Sequence, residues 1–188
     1  CIDIETGVEE WQWESTDSVD HWVQPCIEDG RIYVTSYQGT IFCIAEEDQG
    51  TYSAGDLIWE YHTPMGNPLN GGVAKLGNSL YCGAAFSGNP IVAITDEGDH
   101  ASTKWFSSVT GYWDAFTVAT TTPSYPDGVV IACERGTSSA SPGTLYFFDA
   151  TNGSVIRSIP LLDLQRAGVA LAGDYVVFAG SEYLYCYK

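Results

Sequence analysis

The chain has 188 residues, 24 of them acidic and 7 basic, for a formal net charge of −17. Hydrophobic residues make up 45% and aromatics 13%, enough for a buried core and unlike a disordered tail. So few Lys and Arg exclude a free-standing nucleic-acid binder and argue against an anionic membrane surface, and no apolar run approaches the roughly 20 residues that span a bilayer.

The charge is uneven. Residues 1–60 carry 14 acids against Arg31 alone, and residues 61–188 carry 10 acids against 6 bases. The excess reads as a solvated face or as one acidic flank that meets cations or a basic partner. The opening residues lack a basic region followed by an apolar stretch, so a signal peptide is expected to have been removed already.

In chain order, Cys1-Ile2-Asp3-Ile4-Glu5-Thr6-Gly7 reads as a strand end and a turn, followed by a strand around Trp11. The run Trp22–Ile27 then leads to an Asp29-Gly30 turn, Arg31–Ser36, Thr40–Ala45 and a strand carrying Trp59. The same four pieces recur as Gly72–Leu76, Ser79–Ala84, Ile91–Asp96 and the strand of Trp105. They recur again as Thr117–Thr122, Val129–Glu134, Thr144–Asp149 and the strand of Ile156. Gly168–Ala172, Tyr175–Gly180 and Tyr183–Lys188 complete the series. The leading glycines Gly30, Gly77, Gly128 and Gly173 are spaced 47, 51 and 45 residues apart. Asp-Gly and Asn-Gly pairs at 29–30, 127–128 and 152–153 are hairpin signals. No window keeps apolar residues at helical spacing for three turns.

Four short strands repeating every 40–50 residues predict an all-β fold, a β-propeller of four four-stranded blades. The alternative is a β-sandwich, whose strands need not recur at a fixed offset. The expectation is one domain over 1–188, with repeat units at about 1–21 plus 165–188, 22–66, 67–112 and 113–164. The chain starts and stops at the same point of the repeat. Either the N-terminal strand shares a blade with the C-terminal strands and closes the ring, or the chain is a four-repeat piece of a longer ring or array whose ends pair with other chains.

The repeat reads Asp-Gly, a strand of the IYVTS kind, Gly-Thr-Ile/Leu-Phe/Tyr, Asp-x-x-Thr/Asn-Gly, then apolar-apolar-Trp. On DGRIYVTSYQGTIFCIA with LIWEY, on DGVVIACE with GTLYFFDATNGSVI, and on CIDIETGVEEW, it resembles the pyrroloquinoline-quinone-like propeller repeat of the quinoprotein dehydrogenase fold. That resemblance covers nearly the whole chain, with the stretch LGNSLYCGAAFSGNPIVAITDEGD the loosest. The dehydrogenases of that family hold their quinone beside adjacent cysteines and a calcium ion. No two cysteines are adjacent here, so the resemblance implies no cofactor and points to the non-catalytic members, including an envelope propeller that serves outer-membrane protein assembly.

Six cysteines stand at 1, 26, 43, 82, 133 and 186 without a C-x-x-C pair, so zinc is unsupported. They read as buried free thiols, or as disulfides in an oxidising compartment with Cys26–Cys43 inside one blade the first choice. The turns at Asp3, Asp96 and Asp149 lack the spacing of an EF-hand and read as Asx turns. Asn152-Gly153-Ser154 fits the N-glycosylation pattern. Gly-x-Ser-x-Gly, a phosphate loop and HExxH are absent, so no catalytic residue is assigned.

A ligand, if bound, belongs on the face where the blade-to-blade connections gather. Those connections carry Asp20, His21, Trp22, Asn70, Trp113, Asp114 and Arg166. Aromatic faces beside carboxylates and amides suit sugars or peptides, though the same aromatics could plug a narrow channel. The leading expectation is a secreted or cell-envelope module without enzymatic activity. Its partners are protein, above all itself through the terminal strands in a fibre or lattice, with no nucleic acid and no membrane insertion. A carbohydrate- or peptide-binding lectin-like propeller is the alternative, and a fragment of a quinone-dependent oxidoreductase the third.

Overall fold

The computed structural model describes residues 1–17, 23–64, 69, 71–85, 88–113, 117–138, 140–165 and 167–188. Every regular element among them is a β-strand. Blade 1 is β1 (Cys26–Glu28), β2 (Arg31–Thr35), β3 (Thr40–Ala45) and β4 (Leu57–His62), paired in chain order. Blade 2 is β5 (Gly71–Leu76), β6 (Ser79–Gly83), β7 (Asn89–Asp96) and β8 (Ala101–Gly111). Blade 3 is β9 (Val118–Thr122), β10 (Tyr125–Ser138), β11 (Ser141–Asp149) and β12 (Val155–Pro160). Blade 4 is β13 (Ala170–Ala172), β14 (Tyr175–Ala179) and β15 (Leu184–Tyr187). All neighbours are antiparallel.

Turn chemistry sets the meander. Asp29 and Gly30 both take positive φ, 57° and 71°, the pairing a tight I′-type hairpin needs to follow the strand twist. The runs on either side are β-branched and aromatic, and their side chains alternate between the two faces of the blade.

The register makes the repeat explicit. Tyr33 pairs with Cys43, Tyr81 with Ala93, Ile131 with Phe147, and Val177 with Cys186. Each blade therefore has two comparable faces. The face that meets the next blade in the chain, here the leading face, carries Tyr33, Ile41, Cys43 and Trp59 in blade 1. These pack on Leu80, Cys82, Val92 and Ile94 of blade 2, its trailing face. The second core joins Tyr81, Ile91, Ala93 and Trp105 to Val130, Ala132 and Phe148. The third joins Ile131, Cys133 and Leu145 to Phe178 and Tyr185. Burying one such Ile, Leu or Phe side chain contributes about 1.5–3 kcal/mol.

Two sequence expectations need correction. The C-terminal strands do not share their blade with the N-terminal strand, for blade 4 has three strands and β15 has no second ladder partner among the described residues. Residues 1–10 fold back on themselves instead, with an Ile2–Glu9 bridge and a bond from the Asp3 amide to the Val8 carbonyl. Nor are Cys26 and Cys43 joined, because all six cysteines are free thiols. Both oppose Tyr33, one from each side, which puts two strand spacings, about 10 Å, between their backbones, beyond the ~7 Å a disulfide spans.

Candidate functional site, an uncovered blade

The repeat sets an expectation for every position, so departures from it are informative. Leu184 of β15 is the counterpart of Ile41, Ile91 and Leu145, since it opposes Ala179 as they oppose Thr35, Gly83 and Cys133. Those three are 1%, 0% and 0% exposed, whereas Leu184 is 77% exposed. Cys186 is exposed where Cys43 and Ala93 are buried, and Tyr175 also stands in solvent. Among the described residues the leading face of blade 4 is thus apolar and uncovered, beside a β15 edge whose outer side joins no ladder.

The N-terminal stretch presents the converse. Residues 11–17 alternate half-buried and exposed, as a strand does, and the Trp11 carbonyl accepts from the Cys1 ammonium at 2.7 Å. Trp13 lies 5.0 Å from the Phe42 ring, and the Trp11 ring comes within 3.0 Å of where a Cβ on Gly55 would sit. Thr16 donates to Glu60 and Ser36 donates to Asp17. Trp11 therefore covers blade 1 much as Trp105 of β8 covers Gly153 of blade 3. The stretch lies on the trailing face of blade 1, in the place of a preceding blade's outer strand.

The turn before it is also a repeat part. Asp3 Oδ1 accepts from the amides of Glu5 and Thr6, as Asp149 Oδ1 accepts from the amide of Thr151. In blade 3 this turn is capped, since Tyr81 and Trp105 both donate to the Ala150 carbonyl. Its counterpart Ile4 is almost fully exposed.

A polar cleft of about 350 Å³ opens between blades 1 and 2, lined by Asp29, Arg31, Tyr33, Lys75, Asn78 and Asp96. Asp96 organises it. Its carboxylate accepts from Arg31 at 2.9 Å, from the Tyr33 hydroxyl at 2.8 Å and from Trp59 Nε1 at 3.1 Å. Burial alone would lower the basicity of Arg31, but Asp96 outweighs it and holds the guanidinium above its usual range. Burial, then the bond to Asp96, pushes the Tyr33 hydroxyl far up. Lys75 Nζ meets Asp29 at 2.6 Å and Glu28 at 3.7 Å. The charges answer one another across the seam, which makes this cleft a tie between blades. Sequence reasoning missed it, since Asp96 was assigned only to a turn.

The residues expected to bind a ligand fare differently. Asp20, His21, Trp22, Asn70, Asp114 and Arg166 lie outside the described residues. Trp113 is 1% exposed, with Nε1 donating to the Asn89 carbonyl and its ring against Tyr146 and Phe148. It is a core residue between blades 2 and 3, and a sugar ring could reach it only by unpacking that core. Asn152 is exposed in the β11–β12 turn, where its Oδ1 accepts from the Ser154 amide. Burial pushes the Cys43 thiol up to about 12, with Asp96 adding to it, and burial takes Cys82 to about 12. Both remain protonated and unreactive.

No family model and no curated protein matches the chain. Solved structures do. The crystal structure of BamB from Moraxella catarrhalis is similar with a TM-score of 0.63 and 16% identity, over 89% of this chain and 45% of that one. The chain thus spans less than half the length of that propeller. The crystal structure of the computationally designed Ika4 protein gives a TM-score of 0.67 at 9% identity, over 96% of this chain and 98% of that one. At such identities the likeness concerns the fold alone, and with the four sheets described above it makes the chain a four-bladed β-propeller.

Proposed function

We propose that the chain is a non-catalytic, extracellular or envelope-exposed interaction module that self-associates through the strands at its two ends. The observation that carries this reading is the three-stranded blade 4, whose β15 edge is unpaired among the described residues while the other three blades each show four strands. An exposed edge is a template for a further strand, and strand addition gives affinity through main-chain bonds. The absence of catalytic motifs from the sequence and the mutual pairing of charges in the blade 1–2 cleft support a structural rather than a chemical role. The secreted or envelope location rests on the family resemblance. No helix among the described residues is long and apolar enough to cross a membrane.

Light scattering on the reduced protein across a hundredfold concentration range tests the reading. A species larger than one chain, growing with concentration, is expected. A strict monomer at the highest concentration overturns it.

A further inference from the structure

The polar cleft between blades 1 and 2 holds more charge than a tie between blades requires. We infer that it is a binding site for a small zwitterion, a free α-amino acid, with Arg31 taking the carboxylate and Asp29 the ammonium group. The site uses neither end of the chain and is independent of the self-association proposed above.

The repeat shows what such a seam needs. Arg31 opposes Ala45 as Ser79 opposes Thr95 and Val129 opposes Asp149. Lys75 opposes Leu80 as Ala119 opposes Val130. Asp96 follows Thr95 as Ala150 follows Asp149. The seam between blades 2 and 3 therefore sets Ser79, Ala119 and Ala150 where this one sets Arg31, Lys75 and Asp96. A backbone carbonyl is enough to tie that other seam, since Tyr81 and Trp105 both donate to the oxygen of Ala150. Here the equivalent Tyr33 and Trp59 donate to the Asp96 carboxylate instead. The three charged side chains depart from the repeat together, in one seam.

The tie also leaves donors and acceptors over. Every bond Arg31 makes among the described residues leaves through Nη1, to both Asp96 oxygens and the Gly98 carbonyl at 2.9 Å and to Cys43 Sγ at 4.0 Å. Its other edge, the parallel N–H groups of Nε and Nη2, is the fork that a carboxylate accepts bidentately. Asp29 offers the opposite charge, with its side chain 74% exposed. Lys75, itself 4% exposed, reaches from blade 2 to Asp29 Oδ2, and Oδ1 takes no bond among the described residues. Arg31 and Lys75 stand against Glu28, Asp29 and Asp96, so the site carries one negative charge in excess on a chain of −17. That field opposes a plain anion, and the Arg31 fork opposes a plain cation, which leaves a small ligand bearing both charges. The cleft, about 350 Å³, has the size of a small ligand site, for which roughly 300–1,000 Å³ is usual.

The test is titration of the full chain with the standard amino acids one at a time, read by nitrogen-15 NMR at the amides of Gly77, Asn78 and Gly98, which line the cleft. At least one amino acid is expected to shift them saturably, with a dissociation constant of about 1 mM or below. The amide of that amino acid, which lacks the carboxylate, and its des-amino acid, which lacks the ammonium group, should each bind about tenfold more weakly or worse. Asp29→Asn keeps the turn, because Asn tolerates the φ of 57°, and Arg31→Lys keeps a cation on Asp96 while removing the fork. Both variants should weaken binding by about the same factor, with circular dichroism melts checking that they fold. No saturable shift with any amino acid, a des-amino acid that binds as tightly, or wild-type affinity in folded Asp29→Asn overturns the site. Saturation of the same amides by methyl α-D-glucoside in place of amino acids marks a polyol site and overturns it too. Self-association is read separately by light scattering, so either reading can fail alone.

Discussion

At the scale of single residues, the repeat turns one side chain into a prediction. Gln165 precedes β13 as Leu69 precedes β5 and Trp113 precedes β9. The amides of Leu69, Trp113 and Gln165 donate to the Ser36, Ala84 and Arg135 carbonyls respectively, at the end of the preceding blade's second strand. All three are buried, but the Gln165 carboxamide, 0% exposed, meets no hydrogen-bond partner among the described residues. An unpaired buried amide costs about 1–3 kcal/mol. Gln165→Leu, which copies Leu69, is expected to stabilise the protein by that order, read as a higher urea midpoint. A lower midpoint would show that the amide has a partner.

Asp163 is the second such residue. Burial raises its pKa, but the Tyr185 hydroxyl at 2.6 Å and the amides of Glu182 and Tyr183 outweigh that and hold it below the ordinary 3.8. Gly180 lies against this carboxylate, leaving no room for a Cβ. A carboxylate with a lowered folded pKa stabilises the fold fully above its unfolded value. That contribution is lost as pH falls through the folded value. The melting-temperature gap between the wild type and Asp163→Asn is therefore expected to be constant above about pH 5 and to shrink below about pH 4. A gap that is flat through acid would remove Asp163 from the blade 3–4 tie.

At the scale of elements, the β11–β12 turn shows how blades lock. Asp149 shapes the turn, the Ala150 carbonyl takes two donors from blade 2, and Gly153, at φ 73°, lies under the Trp105 ring. A side chain there is strained twice, by the left-handed backbone and by the indole. Gly153→Ala should cost about 2–4 kcal/mol, whereas Gly77→Ala, also left-handed but facing open space, should cost about 1–2. Denaturant unfolding of the two variants checks the difference, and equal losses would discard the packing part. The same comparison explains an element the sequence misjudged. Trp11 marks a strand by its spacing, yet the stretch around it takes its main-chain bonds from residues 1–3, with Cys1 on Trp11 and Ile2 bridging Glu9, and among the described residues none come from β15. Local periodicity reports which residues suit a strand and carries nothing about which edge is available.

At the scale of the molecule, the charge changes meaning. Counted along the chain, the acids crowd into the first 60 residues and suggest a flank. In the fold, Glu28, Asp29, Glu46, Glu47, Asp48 and Asp56 sit at one end of blade 1, where its first and third turns lie. Asp96, Glu97 and Asp99 occupy the matching end of blade 2, Asp127 and Asp149 that of blade 3, and Asp174 that of blade 4. Half of the 24 acids therefore stand at one face of the propeller. Acids placed there stay solvated and leave the blade faces apolar, apart from Asp96, which draws Arg31, Tyr33 and Trp59 into one tie across a seam.

The sequence alone determined the repeat, the four strands of three blades, the turns and the alternation of faces, because each depends on local periodicity and on residues that tolerate positive φ. Trp113 was legible as an aromatic beside an acid, but its burial was not, since burial depends on where Tyr146 and Phe148 of the next blade come to rest. The tertiary structure decided which seams close. Whether Leu184 is core or surface depends on the angle accumulated over three blade interfaces, a quantity that no stretch of neighbouring residues encodes.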